Sequence, residues 1–108
     1  MKLRVATLTL IAAGACSGIA SAAKQVDSVT RALLCIHRYE GSWTDPNAPY
    51  YGGLQMDLSF QRAYGREFMR RWGTADNWPV YAQLEAGRRA VRVRGFGPWP
   101  VTRHYCGV

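Results

Sequence analysis

Between Cys35 and Asp57 the chain reads CIHRYEGSWTDPNAPYYGGLQMD. One carboxylate, Glu40, stands directly before a glycine. Trp43 follows, then Tyr50 and Tyr51 ahead of Gly52-Gly53, with Gln55 and Asp57 on alternate positions. Together these residue types suit carbohydrate. A carboxylic acid can protonate a glycosidic oxygen. Aromatic rings with polar tips cover pyranose faces, and an amide supplies both a donor and an acceptor. The glycine pair would let a ligand approach the backbone, whose N–H and C=O groups bond sugar hydroxyls.

To act as a general acid near neutral pH, Glu40 must hold its proton well above the ordinary glutamate value of about 4.3. Its expected place at a helix C-terminus helps, because the negative end of the helix disfavours a carboxylate. Desolvation against Trp43 or a tyrosine must do the rest. A second carboxylate would sit about 5–5.5 Å away in a retaining glycosidase and roughly 6.5–9.5 Å away in an inverting one. Asp45 and Asp57 are the candidates. Asp45 lies in an Asp-Pro turn and reads as structural; Asp57 stands where a helix would be capped. One acid is therefore expected rather than a pair, with attack by a group on the substrate itself or by a loosely held water.

The elements that must position these groups are mainly helical. Asp27 or Ser28 caps a first helix in which Val29, Leu33, Ile36 and Glu40 share an inward face. Gly41 is expected to stop it in the left-handed conformation. Ser42 to Pro49 is a loop, and Tyr50 to Asp57 a short extended segment with a hairpin or irregular β-turn. Helices are predicted over Leu58 to Tyr64 and Arg66 to Trp72. A turn at Thr74 to Asn77 leads to a last helix, Pro79 to Arg94, with Val80, Leu84, Gly87 and Val91 as its buried stripe. Arg88, Arg89 and Arg92 on another face read as solvated. Phe96-Gly97-Pro98-Trp99-Pro100 forms a rigid tail. The fold class is small and mainly α, with one short β element.

The N-terminus reads as an export signal. Lys2 and Arg4 precede an apolar run, and Ala20-Ser21-Ala22 supplies a small-x-small cleavage pattern, so residues 1–22 are a leader and residues 23–108 the domain. Cleavage lowers the formal charge from +7 to +5. A basic exported surface suits an anionic wall polymer, and export argues against nucleic acid. Cys16 leaves with the leader, and Cys35 and Cys106 remain as the pair for a disulfide in an oxidising compartment. Such a bridge closes a long loop and contributes roughly 4 kcal/mol. His37 and His104 are isolated and read as structural. No metal-ligand spacing or cofactor motif occurs, no lasting membrane insertion is expected, and a monomer is expected.

YEGSW, then YYGGLQMD, then GFGPWP and a closing cysteine resemble the transglycosylase-like domain of actinobacterial resuscitation-promoting factors, over nearly all of residues 28–106. The resemblance implies a small lysozyme-like fold. It also implies cleavage of the β-1,4 bond between N-acetylmuramic acid and N-acetylglucosamine in peptidoglycan strands, outside the cell. By motif position Glu40 matches the catalytic glutamate, Gln55 the glutamine after the glycine pair and Asp57 an aspartate of the substrate groove. Trp43, Tyr50, Tyr51 and Trp99 complete the expected substrate-binding set. Family members commonly carry a cysteine immediately before the glutamate, whereas Tyr39 stands there and Cys35 lies one helical turn earlier. The closing cysteine is displaced too, to a later position after Trp99-Pro100. A non-catalytic wall-binding module on the same fold is the alternative.

Overall fold

The computed structural model describes residues 26–108. The expected leader, residues 1–22 with Cys16, lies outside the described residues. Five helices follow in order: α1 (Ser28–Glu40), α2 (Leu58–Tyr64), α3 (Arg66–Trp72), α4 (Val80–Arg94) and α5 (Thr102–Tyr105), with a 3-10 turn at Ala75–Asn77 before α4. The mainly α expectation holds, with α5 as a further short helix beyond the Phe96 to Pro100 tail. Among the described residues no helix is long and apolar enough to cross a membrane.

Side chains set where the helices begin. Asp27 caps α1 by accepting from Thr30 N at 2.9 Å and Thr30 Oγ1 at 2.8 Å. Asp57 caps α2 by accepting from Phe60 N at 2.7 Å. Each cap satisfies an amide that the first helical turn leaves without a partner. The end of α1 differs from expectation. Gly41 is extended, at φ 172° and ψ 177°, not left-handed. Space is tight there: a Cβ would stand 3.0 Å from Gln55 Nε2 and 3.3 Å from Asp45 Oδ2, so a larger residue would push on the Gln55 and Asp45 side chains.

The core lies between α1 and α4, roofed by the segment from Leu54 to Phe60 and by Trp78 and Trp99. Leu33, Ile36, Leu54, Met56, Phe60, Trp78 and Trp99 are buried there against Ala82, Ala86 and Ala90. The stripe of α4 is therefore Ala82, Gln83, Ala86, Gly87 and Ala90. Of the expected stripe only Gly87 is fully buried; Leu84 and Val91 flank it and Val80 is exposed. Close approach explains the difference. A Cβ on Gly87 would meet Leu54 Cδ1 at 2.8 Å and Leu33 Cδ1 at 3.1 Å, so where α4 crosses Leu33 and Leu54 it comes too close for a larger residue.

The β element is minimal. Tyr51 and Met56 form one antiparallel bridge, with N–H to O=C distances of 3.1 and 2.9 Å. Cys35 and Cys106 are bonded, with their Cα atoms 5.9 Å apart, which ties α1 to the residue following α5. Near the bridge the rings of Tyr39 and Tyr105 meet at 5.1 Å.

Candidate functional site

A groove opens where the end of α1, the turn after Pro49, α2 and the tail after α4 converge. Its larger part has a volume of about 490 Å³, lined by Tyr50, Gln55, Asp57, Ser59, Phe60, Ala63, Tyr64, Arg94, Pro98 and Trp99. A smaller part of about 230 Å³ holds Glu40 between Tyr50, Gln55, Pro98 and Pro100. The two share Tyr50, Gln55 and Pro98, so they adjoin.

Glu40 is half-buried at the last residue of α1. Burial pushes its carboxyl above the ordinary glutamate value. The Thr102 hydroxyl acts in the opposite direction, favouring the carboxylate. It completes no bond, however: Thr102 Oγ1 is buried with no hydrogen-bond partner. No charged neighbour contributes to the shift, so desolvation outweighs the one polar contact in reach.

Gln55 is held firmly. It has φ 51°, in the left-handed region that non-glycine residues seldom occupy. Its Nε2 donates to Asp45 Oδ2 at 2.8 Å and to Gly52 O at 3.0 Å, which fixes both the backbone turn and the side chain. Asp45 is committed to that task, since its Oδ1 also accepts from Asn47 N at 3.1 Å and Asn47 Nδ2 at 2.7 Å. Asp57 lines the larger part of the groove while one of its oxygens caps α2. Tyr50 is exposed over both parts. Trp99 is buried in the core, with Nε1 donating to Leu54 O at 2.8 Å, and presents only part of its surface to the groove.

Two of the expected substrate-binding residues lie elsewhere. Trp43 stacks on His37, with ring centroids 3.8 Å apart, and packs against the core. Tyr51 likewise packs against the core, beside its bridge to Met56, and lines neither part of the groove. The reason is the glycine pair. Gly52 and Gly53 are buried, and their open faces are filled by the chain itself: Gln83 Oε1 lies against Gly52, and the Trp43 ring and His37 Nδ1 lie against Gly53. His37 Nδ1 also bonds Gly53 O at 3.1 Å. The space expected for a ligand is thus occupied by a structural layer.

Other groove residues were missed from sequence. Tyr64 and Arg94 sit near helix ends and Pro98 and Pro100 flank Trp99, all without a chemical signature of their own. The Pro-Trp-Pro run was the available signal, since a segment that stiff can serve as a wall. No protein-family model matches the chain, and no curated protein is similar to it in sequence.

Proposed function

We propose that the protein is an exported peptidoglycan glycosidase of lysozyme-like fold, cleaving the β-1,4 bond between N-acetylmuramic acid and N-acetylglucosamine with Glu40 as its single acid. One observation carries this reading: a glutamate at a helix end, in an open groove, whose proton is favoured by burial. The likeness of YEGSW, YYGGLQMD and GFGPWP to resuscitation-promoting factors supports it, as do the leader-like N-terminus and the basic charge.

In this reading a glycan strand lies along the groove, with Tyr50 against a sugar face and Gln55 and Asp57 as hydrogen-bonding walls. Glu40 donates its proton to the glycosidic oxygen as the bond to the anomeric carbon breaks. The muramic 6-hydroxyl, or a water, then bonds to that carbon and returns a proton to the Glu40 carboxylate. Asp45 takes no part, since both its oxygens are engaged.

The test compares wild type with Glu40→Gln on purified peptidoglycan. Soluble muropeptides are expected from wild type, and release falls by at least about 10²-fold in the variant. Equal release from both rejects Glu40 as the acid. Retention on peptidoglycan without turnover by wild type identifies a wall-binding module instead. Mass spectrometry of the products separates anhydro from reducing ends.

A further inference from the structure

Thr102, on α5, comes within reach of the Glu40 carboxyl across the junction of α1 and α5. Cys35 on α1 is bonded to Cys106 just beyond α5, and the rings of Tyr39 and Tyr105 meet beside that bond, so the two helices pack together there. Glu40, next to Tyr39, also shares the smaller part of the groove with Pro100, two residues before Thr102. Thr102 is buried, 8% exposed, and its hydroxyl has no partner. A buried, unpaired hydroxyl is costly to keep, and a valine would fill the same space without that cost. It therefore points to a partner it acquires in another state.

We propose that Thr102 is a positioning residue for Glu40, its hydroxyl donating a hydrogen bond to the Glu40 carboxylate once the acid has given up its proton. The inference rests on the general-acid reading of Glu40. A neutral carboxyl leaves the hydroxyl unneeded, whereas a half-buried carboxylate requires a donor, and charge strengthens that bond. Titratable groups on the surrounding elements are Arg38 and Tyr39 on α1, Asp45 and Tyr50 on the loop, Asp57 across the groove, and Arg103, His104 and Tyr105 on α5. None of them shifts Glu40 by its charge, so the new carboxylate has no cation to lean on. Thr102 thereby lowers the barrier to proton transfer while leaving the resting acid protonated.

The experiment uses Thr102→Val and Thr102→Ser in the mature protein, with the Glu40 carboxyl titrated by carbon NMR against Glu40→Gln for assignment. In Thr102→Val, Glu40 is expected to titrate at higher pH than in wild type, and in Thr102→Ser at the wild-type pH, while the melting temperature of Thr102→Val does not fall. On peptidoglycan, Thr102→Val is expected to lose about tenfold in kcat with KM little changed. The alkaline limb of its rate profile should move upward, and serine should restore both properties. An unchanged Glu40 titration in Thr102→Val overturns the proposal. So does a shift of equal size in Thr102→Ser, which would trace the effect to packing. Should the valine variant not fold, Thr102→Ala, which also lacks the hydroxyl, is titrated in its place. The titration needs no turnover, so it decides the role of Thr102 even if wild type cleaves nothing.

Discussion

Two regions of this molecule bury polar side chains, and they treat them in opposite ways. Beneath the Gly52-Gly53 turn, Gln83 is fully buried: its Oε1 accepts from Gly53 N at 2.9 Å, and its Nε2 donates to Trp43 O at 2.9 Å and Trp78 O at 3.1 Å. Gln61 does the same between two other segments, accepting from Ala75 N at 3.0 Å and donating to Met56 O at 2.8 Å. At the junction of α1 and α5, Glu40 is desolvated and the Thr102 hydroxyl has no partner. The chain can satisfy buried polar atoms completely where they brace the fold. Leaving the Thr102 hydroxyl without a partner, beside a partly desolvated Glu40 and an open groove, therefore marks that junction, not the glutamine layer, as the candidate place for chemistry.

The comparison breaks most visibly at Gln83. Gln83→Leu keeps the volume but strands the Gly53 amide and the Trp43 and Trp78 carbonyls. It is expected to cost about 4 kcal/mol, from roughly 1–3 kcal/mol for each buried group left unpaired. For a domain whose whole stability is on the order of 5–15 kcal/mol, that removes a large part of it and lowers the urea midpoint in proportion. A loss below about 1 kcal/mol would mean that water replaces the amide, and the glutamine layer would no longer differ from the Glu40 junction. Gln61→Leu strands only the Ala75 amide, because the Met56 carbonyl keeps its bond from Tyr51 N at 3.1 Å, so a smaller loss of about 1–3 kcal/mol is expected by the same measurement.

How much of this could be read from the sequence follows the same divide. Helix boundaries, the Asp27 and Asp57 caps and the Cys35–Cys106 bond were legible, because each depends on local chemistry or on counting. Glu40, Tyr50, Gln55 and Asp57 do come together around one groove. The direction of side chains within YYGG was not legible. Tyr50 and Tyr51 are adjacent and chemically identical, and only the packing of Trp43 and His37 against Gly53 decides which one turns inward. The face of α4 was misread for a related reason: hydropathy favours Val80, Leu84 and Val91, whereas close packing on Leu33 and Leu54 selects alanine and glycine. Thr102 carried no signal, since its place beside Glu40 depends on the packing of α5 against α1, two helices far apart in sequence.

The smallest expected effect is the most direct measure of the Glu40 side of the comparison. Burial raises the folded pKa of Glu40 above its unfolded value. Below the unfolded pKa the carboxyl is protonated in both states and imposes no penalty. As pH rises, the unfolded chain releases its proton first and binds fewer protons than the folded one, so stability falls until the folded pKa is passed. Above that point the penalty is constant. Glu40→Gln removes the titration, so its stability relative to wild type should rise between pH 4 and pH 7 and then level off. The gain should be the smallest of these effects, because Glu40 is half-exposed and solvent screens part of it. Urea denaturation of both proteins at pH 4, 5.5 and 7 resolves it, provided the same slope with denaturant applies to both. A stability difference that stays flat across that range would place Glu40 in surroundings as accommodating as those of Gln83. The contrast between a braced layer and an unsatisfied junction would then have to rest on Thr102 alone.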